Sequence, residues 1–254
     1  MKTLVTMLVV MLMGSVTMGA VFVYDGEPSQ DTGIYAGFGS DLNWGLSPSG
    51  DVGYWDEPLW RTLFQWDLPN DLTRGGATVT AATLEVDVRE AVTDDRDENN
   101  IQTDIKVFVA GIEHEWVEGH GVGVQAPSLA PDGATQATYD GTNSWEFLAP
   151  LTRDNGNHVM YDTAAVPKLA YNSNQVVGVI VFDDIIALVQ EWADGRPNYG
   201  LAVARDESQS GGSISVFTKE SGHAARLHIE YVPEPATGVL LGIGCLLGLR
   251  RRKK

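Results

Sequence analysis

The chain has 254 residues, with 17 Lys and Arg against 34 Asp and Glu, a formal net charge of −17 and one Cys. A chain of this length can bury a sizeable core without disulfides. So acidic a surface repels polyanions, which excludes nucleic acid as a partner. The lone Cys245 sits in the apolar C-terminal tail, so disulfides, thiolate metal centres and Cys nucleophiles are excluded from the rest.

Residues 1–20 open with Lys2, continue in the apolar run Leu4–Met13 and close on Gly19 and Ala20. This order of basic start, short apolar run and small residues predicts a secretory signal peptide cleaved after Ala20. The run is short for a membrane anchor.

Residues 21–232 read as one domain of many short strands. In Arg61–Leu68 the side chains of Phe64, Trp66 and Leu68 fall on one face. Thr83–Glu90 alternates most regularly, with Leu84, Val86 and Val88 inward and Glu85, Asp87 and Arg89 outward. Ile105, Val107 and Val109 repeat the pattern, as do Leu201 with Val203, Ile214 with Val216, and Leu227 with Ile229 and Tyr231. The continuous apolar run Val176–Phe182 predicts a strand buried on both faces. Asp183–Asp194 instead carries Ile185, Ile186, Val189 and Trp192 at helical spacing. Asp183 or Asp184 is the expected N-cap and Gly195 the expected stop. Trp116, Trp145 and Trp192 are expected in the core. The acidic stretch 93–100 and the Gly/Pro-rich stretch Gly119–Gly133 read as surface loops. Short strands separated by Gly- and Pro-rich gaps predict an all-β, antiparallel, jelly-roll-like β-sandwich with one short helix.

Few residues carry recognisable chemistry. His114-Glu115 begins like the zinc-helix motif, but Glu118 stands where the second His is required. No Gly-x-Ser-x-Gly elbow is present, and no residue is assigned a catalytic role. Asp95–Asn99 starts like an EF-hand loop but lacks its central Gly and terminal Glu. A looser structural calcium site on Asp94, Asp95, Asp97 and Glu98 stays open beside a plain solvated loop. Sugar binding by stacking needs exposed rings beside polar groups. Trp44, Tyr54, Trp55 and Trp60 lie in a Gly/Pro/Asp-rich stretch and are the candidate glycan platform. The alternative is that these rings cover one end of the core.

The C-terminus runs Pro233-Glu234-Pro235, an apolar stretch Ala236–Leu249 and the basic stop Arg250–Lys254. This order resembles the PEP-CTERM sorting signal of Gram-negative bacteria, here over residues 233–254. The resemblance implies Sec-dependent export, a transmembrane sorting helix held briefly in the inner membrane, and processing by an exosortase near Pro233-Glu234-Pro235. Delivery to the cell surface or extracellular matrix would follow. The body has its own resemblance. Asp31-Thr32, Asn43-Trp44-Gly45, Arg61–Pro69, Ala81–Leu84, Trp116–Gly119, Ala137-Thr138-Tyr139, Trp145, Asp183–Trp192, Asn198–Leu201 and Leu227–Tyr231 follow one another in an order similar to the DNRLRE-type secreted domain. That likeness implies a non-catalytic, carbohydrate-binding-module-like β-sandwich over 21–232, in some members a binder of acidic polysaccharide. An acidic polymer would need bridging Ca²⁺ or a basic patch, for which Lys106, Arg153, Lys168, Arg205, Lys219 and Arg226 are the candidates. A secreted polysaccharide hydrolase or lyase on the same fold, and a purely structural matrix protein, remain the alternatives.

Overall fold

The computed structural model describes residues 20–35, 42–54, 59–92, 105–112, 114–122, 133–135, 138–145, 160–166, 175–205 and 212–234. The signal-peptide segment, the apolar tail with Pro235, Trp55, and the Asp94–Glu98 loop lie outside the described residues. Among the described residues no helix is long and apolar enough to cross a membrane.

The fold is mostly β and antiparallel, with few helical residues. Its strands are β1 (Phe22–Gly26), β2 (Gln30–Tyr35), β3 (Ser49–Tyr54), β4 (Leu59–Gln65), β5 (Thr78–Val92), β6 (Ile105–Gly111), β7 (Met160–Val166), β8 (Gly178–Phe182), β9 (Leu201–Arg205), β10 (Gly212–Phe217) and β11 (Arg226–Val232). The helices are the one-turn α1 (Asn70–Thr73) and the longer α2 (Ile186–Ala193). The strands hydrogen-bond in the order β1-β11-β5-β10-β3-β4-β9-β6-β7, with β2 on β4 and β8 on β5. The two layers expected of a sandwich are thus arms of one curled sheet. They are joined where β3 pairs β4 at Gly53–Trp60 and Tyr54–Leu59.

The main core lies inside the curl. Leu84, Val86 and Val88 of β5, Ile214 and Val216 of β10 and Leu227 and Ile229 of β11 come from one arm. Phe64 of β4, Val107 and Val109 of β6 and Leu201 and Val203 of β9 come from the other. Period-two alternation puts these residues on one face of each strand, and burying them is the main favourable term in folding. A second, smaller core of Ile34, Leu63, Trp116, Ala134 and Ala202 lies on the other face of β2, β4 and β9. Trp116 and Ala134 come from the segment between β6 and β7. The described residues of this segment, among them Trp116, Ala134, Tyr139 and Trp145, pack on the outer face of the second arm.

That cover inverts one expectation. β9, read as an alternating strand, is buried at every residue. β8, read as buried on both faces, leaves Val179 51% and Val181 46% exposed. The reason is position. β8 pairs only β5 and nothing covers its outer side chains among the described residues, whereas β9 lies between β4 and β6 beneath Trp116 and its neighbours.

The helix expected over 183–194 is present as α2. Leu188, Val189 and Trp192 are buried, and Gly195 at φ 101° ends it. The acidic cap is not. Ile185 is the N-cap residue with no side-chain cap, and the Asp184 N–H donates to Asp162 Oδ2 at 3.0 Å. Trp116 and Trp192 are core residues, and Trp145 packs half-buried against the second core.

Candidate functional site

Strand β2 carries a distinct constellation at each end. Asp31, Gly33 and Tyr35 share the face that Phe64, Thr62 and Trp60 present on β4, because directly opposed residues of an antiparallel pair point the same way.

At the Tyr35 end the chain gathers rings. Tyr35 lies 4.5 Å from Trp44 and 5.6 Å from Trp60, centroid to centroid, and both contacts are tilted. Tyr35 is buried, whereas Trp44 and Trp60 are half-buried. The Tyr35 hydroxyl donates to Asp51 Oδ2 at 3.2 Å. Burial pushes the Asp51 carboxyl above its ordinary range, opposed by hydrogen bonds from Ser215 and Tyr35 and by the Arg89 charge. Burial and the Asp51 charge together hold the Tyr35 phenol well above its usual value. The Trp44 Nε1–H is buried with no acceptor among the described residues. Two of the four proposed platform rings, Trp44 and Trp60, therefore meet through Tyr35. The backbone of Tyr54 pairs with Leu59 and Gly212 at this end of the sheet.

At the Asp31 end the chain gathers charge. Asp31 is fully buried. Its backbone N–H donates to Glu118 Oε1 at 3.0 Å, and its Oδ2 accepts the Lys219 backbone N–H at 2.8 Å. Lys219 and Glu220 belong to a 3₁₀ turn, Lys219–Ser221, just after β10. The Lys219 ammonium pairs with Glu118, donates to the Ser29 carbonyl at 3.0 Å and lies 3.8 Å from Glu220 Oε1. Three carboxyl groups thus surround Lys219, whose ammonium pairs with Glu118 and Glu220 and whose backbone N–H serves Asp31. Burial, with the Glu220 and Glu118 charges adding to it, drives the Asp31 carboxyl up to about 8, although hydrogen bonding and charge from Lys219 oppose the shift. Burial first, and then the Glu118 charge, also raise the Glu220 carboxyl, opposed by its own backbone N–H, by Lys219 and by a hydrogen bond shared with Asp31. Asp31 Oδ1 and Glu220 Oε2 are both buried and meet no N–H or hydroxyl donor among the described residues.

Asn43 holds this end together. It is 2% exposed; its Nδ2 donates to the carbonyls of Glu118 and Ala134, and its Oδ1 accepts from the N–H groups of Gly45 and Gly121. A Cβ on Gly121 would fall 2.2 Å from the Asn43 carbonyl oxygen, so only glycine fits there. The Gly119–Gly133 stretch expected on the surface is consequently buried at both of its ends.

Sequence reading missed this cluster. Asp31, Glu118 and Glu220 are far apart in the chain, and Glu118 entered only as the residue that spoils a zinc motif and as part of the Trp116–Gly119 segment. The one available signal was Asp31, an acid inside an otherwise apolar or small strand. Arg153 and Lys168 lie outside the described residues, and the other basic candidates do not converge. Lys219 is committed to Glu118, Arg205 is buried and donates to the Gly212 carbonyl at 3.0 Å, and Lys106 and Arg226 lie on strands in opposite arms. His114 stacks on Tyr139 at 6.0 Å and is not among the carboxylate cluster. An open cleft of about 380 Å³ lies beside Gln65, Asp67, Arg196 and Asn198. Its one aromatic, Trp66, is 1% exposed and donates from Nε1 to the Gly26 carbonyl at 3.1 Å. The cleft therefore offers no ring for stacking.

A family profile described as the PEP-CTERM protein-sorting motif matches residues 232–254. That match begins on the last residue of β11, so the motif follows directly on the folded body. It indicates export and sorting to the cell surface, with an exosortase as the enzyme that recognises such signals. No characterised protein matches the chain.

Proposed function

We propose that this chain is a non-catalytic, exosortase-sorted surface or matrix protein whose curled β body binds polysaccharide at its aromatic end. The observation that carries the reading is the sorting motif joined without a linker to the last core strand. In this reading the signal peptide directs Sec export, the apolar tail holds the protein in the inner membrane, and processing near Pro233-Glu234-Pro235 releases it outward. The DNRLRE-like order of motifs supports a carbohydrate-binding sandwich as the ancestor of the curled sheet.

The glycan surface is placed at Trp44 and Trp60, with Tyr54 and Trp55 on the same β3–β4 connection. Sugar faces stack on half-buried rings, while neighbouring acids and amides orient the hydroxyls. Neutral glycans suit this acidic body better than anionic ones. This reading gives Asp31 no catalytic role. Asp31, the carboxyl driven up to about 8, is fully buried and does not line the described cleft.

The test is binding of the full chain to neutral and acidic polysaccharides, with and without Ca²⁺, together with Trp60→Ala and Trp55→Ala variants. Saturable binding weakened at least tenfold by either substitution supports the reading. Release of reducing or unsaturated ends during incubation replaces it with a hydrolase or lyase. Absence of binding leaves a structural matrix protein.

A further inference from the structure

We propose that Asp31, Glu118 and Glu220 form a divalent-cation site, with Ca²⁺ as the ion they fit. Each offers one carboxylate oxygen, and these three oxygens lie within 4.8 Å of one another. Two ligands of one Ca²⁺ can stand up to about 5 Å apart, given Ca–O distances of 2.3–2.6 Å. The set is oxygen only, which suits a hard ion and disfavours zinc or copper. The cluster has a second mark of a missing ligand. Asp31 is fully buried, yet its Oδ1 meets no N–H or hydroxyl donor among the described residues, and neither does Glu220 Oε2; the two carboxyls can bond each other only through a shared proton. A carboxylate oxygen in so dry a place needs either a proton or a cation.

Charge points the same way. The Lys219 ammonium supplies one positive charge to three carboxyl groups, and its hydrogen bonds run to Glu118 and the Ser29 carbonyl rather than to Asp31 Oδ1. An ion of charge +2 that displaces the Asp31 proton balances the two negative charges that then remain. The Glu118 carboxylate already accepts from the Asp31 N–H and from Lys219; its remaining lone pairs serve the ion without breaking either bond.

The site has a structural consequence. Asp31 opens β2, Glu118 lies in the cover over the second arm, and Glu220 follows β10. One ion would clip these segments, distant in sequence, to one point. A site with three carboxylates and a neighbouring ammonium belongs in the weak, extracellular class of calcium sites, roughly 10⁻⁴–10⁻³ M. It would stay empty at cytosolic calcium and fill outside the cell.

The experiment is calorimetric Ca²⁺ titration of the full chain after EDTA treatment, with thermal unfolding in CaCl₂, in MgCl₂ and in KCl of matched ionic strength. Glu220→Gln is the main variant because its side chain is only partly buried; Asp94→Asn/Asp97→Asn is the control for the acidic loop. The site predicts a Ca²⁺-specific rise in Tm of about 3–6 °C at tenfold excess over Kd, lost in Glu220→Gln and kept in the loop variant. Lys219→Met, which removes the competing ammonium, is expected to bind Ca²⁺ more tightly and to regain stability when the ion is added. Ca²⁺ doing no more than matched KCl overturns the proposal, as does a Ca²⁺ effect that survives Glu220→Gln or vanishes in the loop variant. If Glu220→Gln does not fold, the wild-type heat of Ca²⁺ binding and the Lys219→Met response decide alone.

Discussion

The two ends of β2 solve the same problem with different materials. At Tyr35 the strand ends against rings and one carboxylate, all but Ser215 and Arg89 drawn from residues 35–60. At Asp31 it ends against charged groups from two distant segments, one of them held in place by Asn43. The aromatic end is built by neighbours in sequence and tolerates adjustment, because ring packing is weakly directional. The charged end is built by long-range closure. Buried polar groups there must find partners in fixed geometry or lose stability.

Substitutions separate the two ends, and the largest effect is expected at the charged one. Asn43→Ala removes acceptors and donors from four backbone groups at once and is expected to cost about 3–5 kcal/mol, read as a Tm drop of roughly 10 °C. A loss under about 1 kcal/mol would show that Asn43 organises nothing. Next, Lys219→Met leaves Glu118 and its neighbours without their ammonium. Because these side chains stay 17–25% exposed, the expected loss is about 2 kcal/mol rather than the full penalty of a buried pair, measured by urea unfolding without Ca²⁺.

The indole N–H groups give a finer contrast. Trp116 donates to the Tyr199 carbonyl at 2.8 Å, so Trp116→Phe orphans a buried carbonyl and is expected to cost about 1–2 kcal/mol. Trp44 Nε1 has no acceptor among the described residues, so Trp44→Phe is expected to stay within about 0.5 kcal/mol of wild type. Equal losses at both positions would erase the distinction between the ends.

The smallest effect is one of pH at the aromatic end. The Asp51 carboxyl is raised in the folded state by burial, so folding favours its neutral form. Its contribution is complete below the unfolded value of about 3.9 and is lost as pH rises through the raised folded value. Asp51→Asn is therefore expected to match wild type near pH 4 and to gain on it toward neutrality. Chemical unfolding of both proteins across that range checks it, and parallel curves would mean that Asp51 titrates normally.

Legibility followed the same division. Leu84, Val86 and Val88 were readable as a core face because alternation is written in adjacent residues. The α2 stripe was readable for the same reason, but its acidic cap was not, since whether Asp184 turns back to the helix or meets Asp162 depends on β7. Trp44 and Trp60 could be grouped from sequence because one hairpin separates them. Asp31, Glu118 and Glu220 could not, because no local pattern relates residues from three loops.

Composition, periodicity and the terminal motif alone established an acidic, exported, antiparallel β protein carrying a surface-sorting signal. These properties depend on side-chain order along the chain, which a linear reading preserves. Tertiary closure settled the rest. It made β9 rather than β8 the strand buried on both faces, because a strand's second face is buried only if another segment comes to cover it. It also brought one ammonium and three carboxylates to one point, because strand pairing between residues far apart in sequence sets which loops meet.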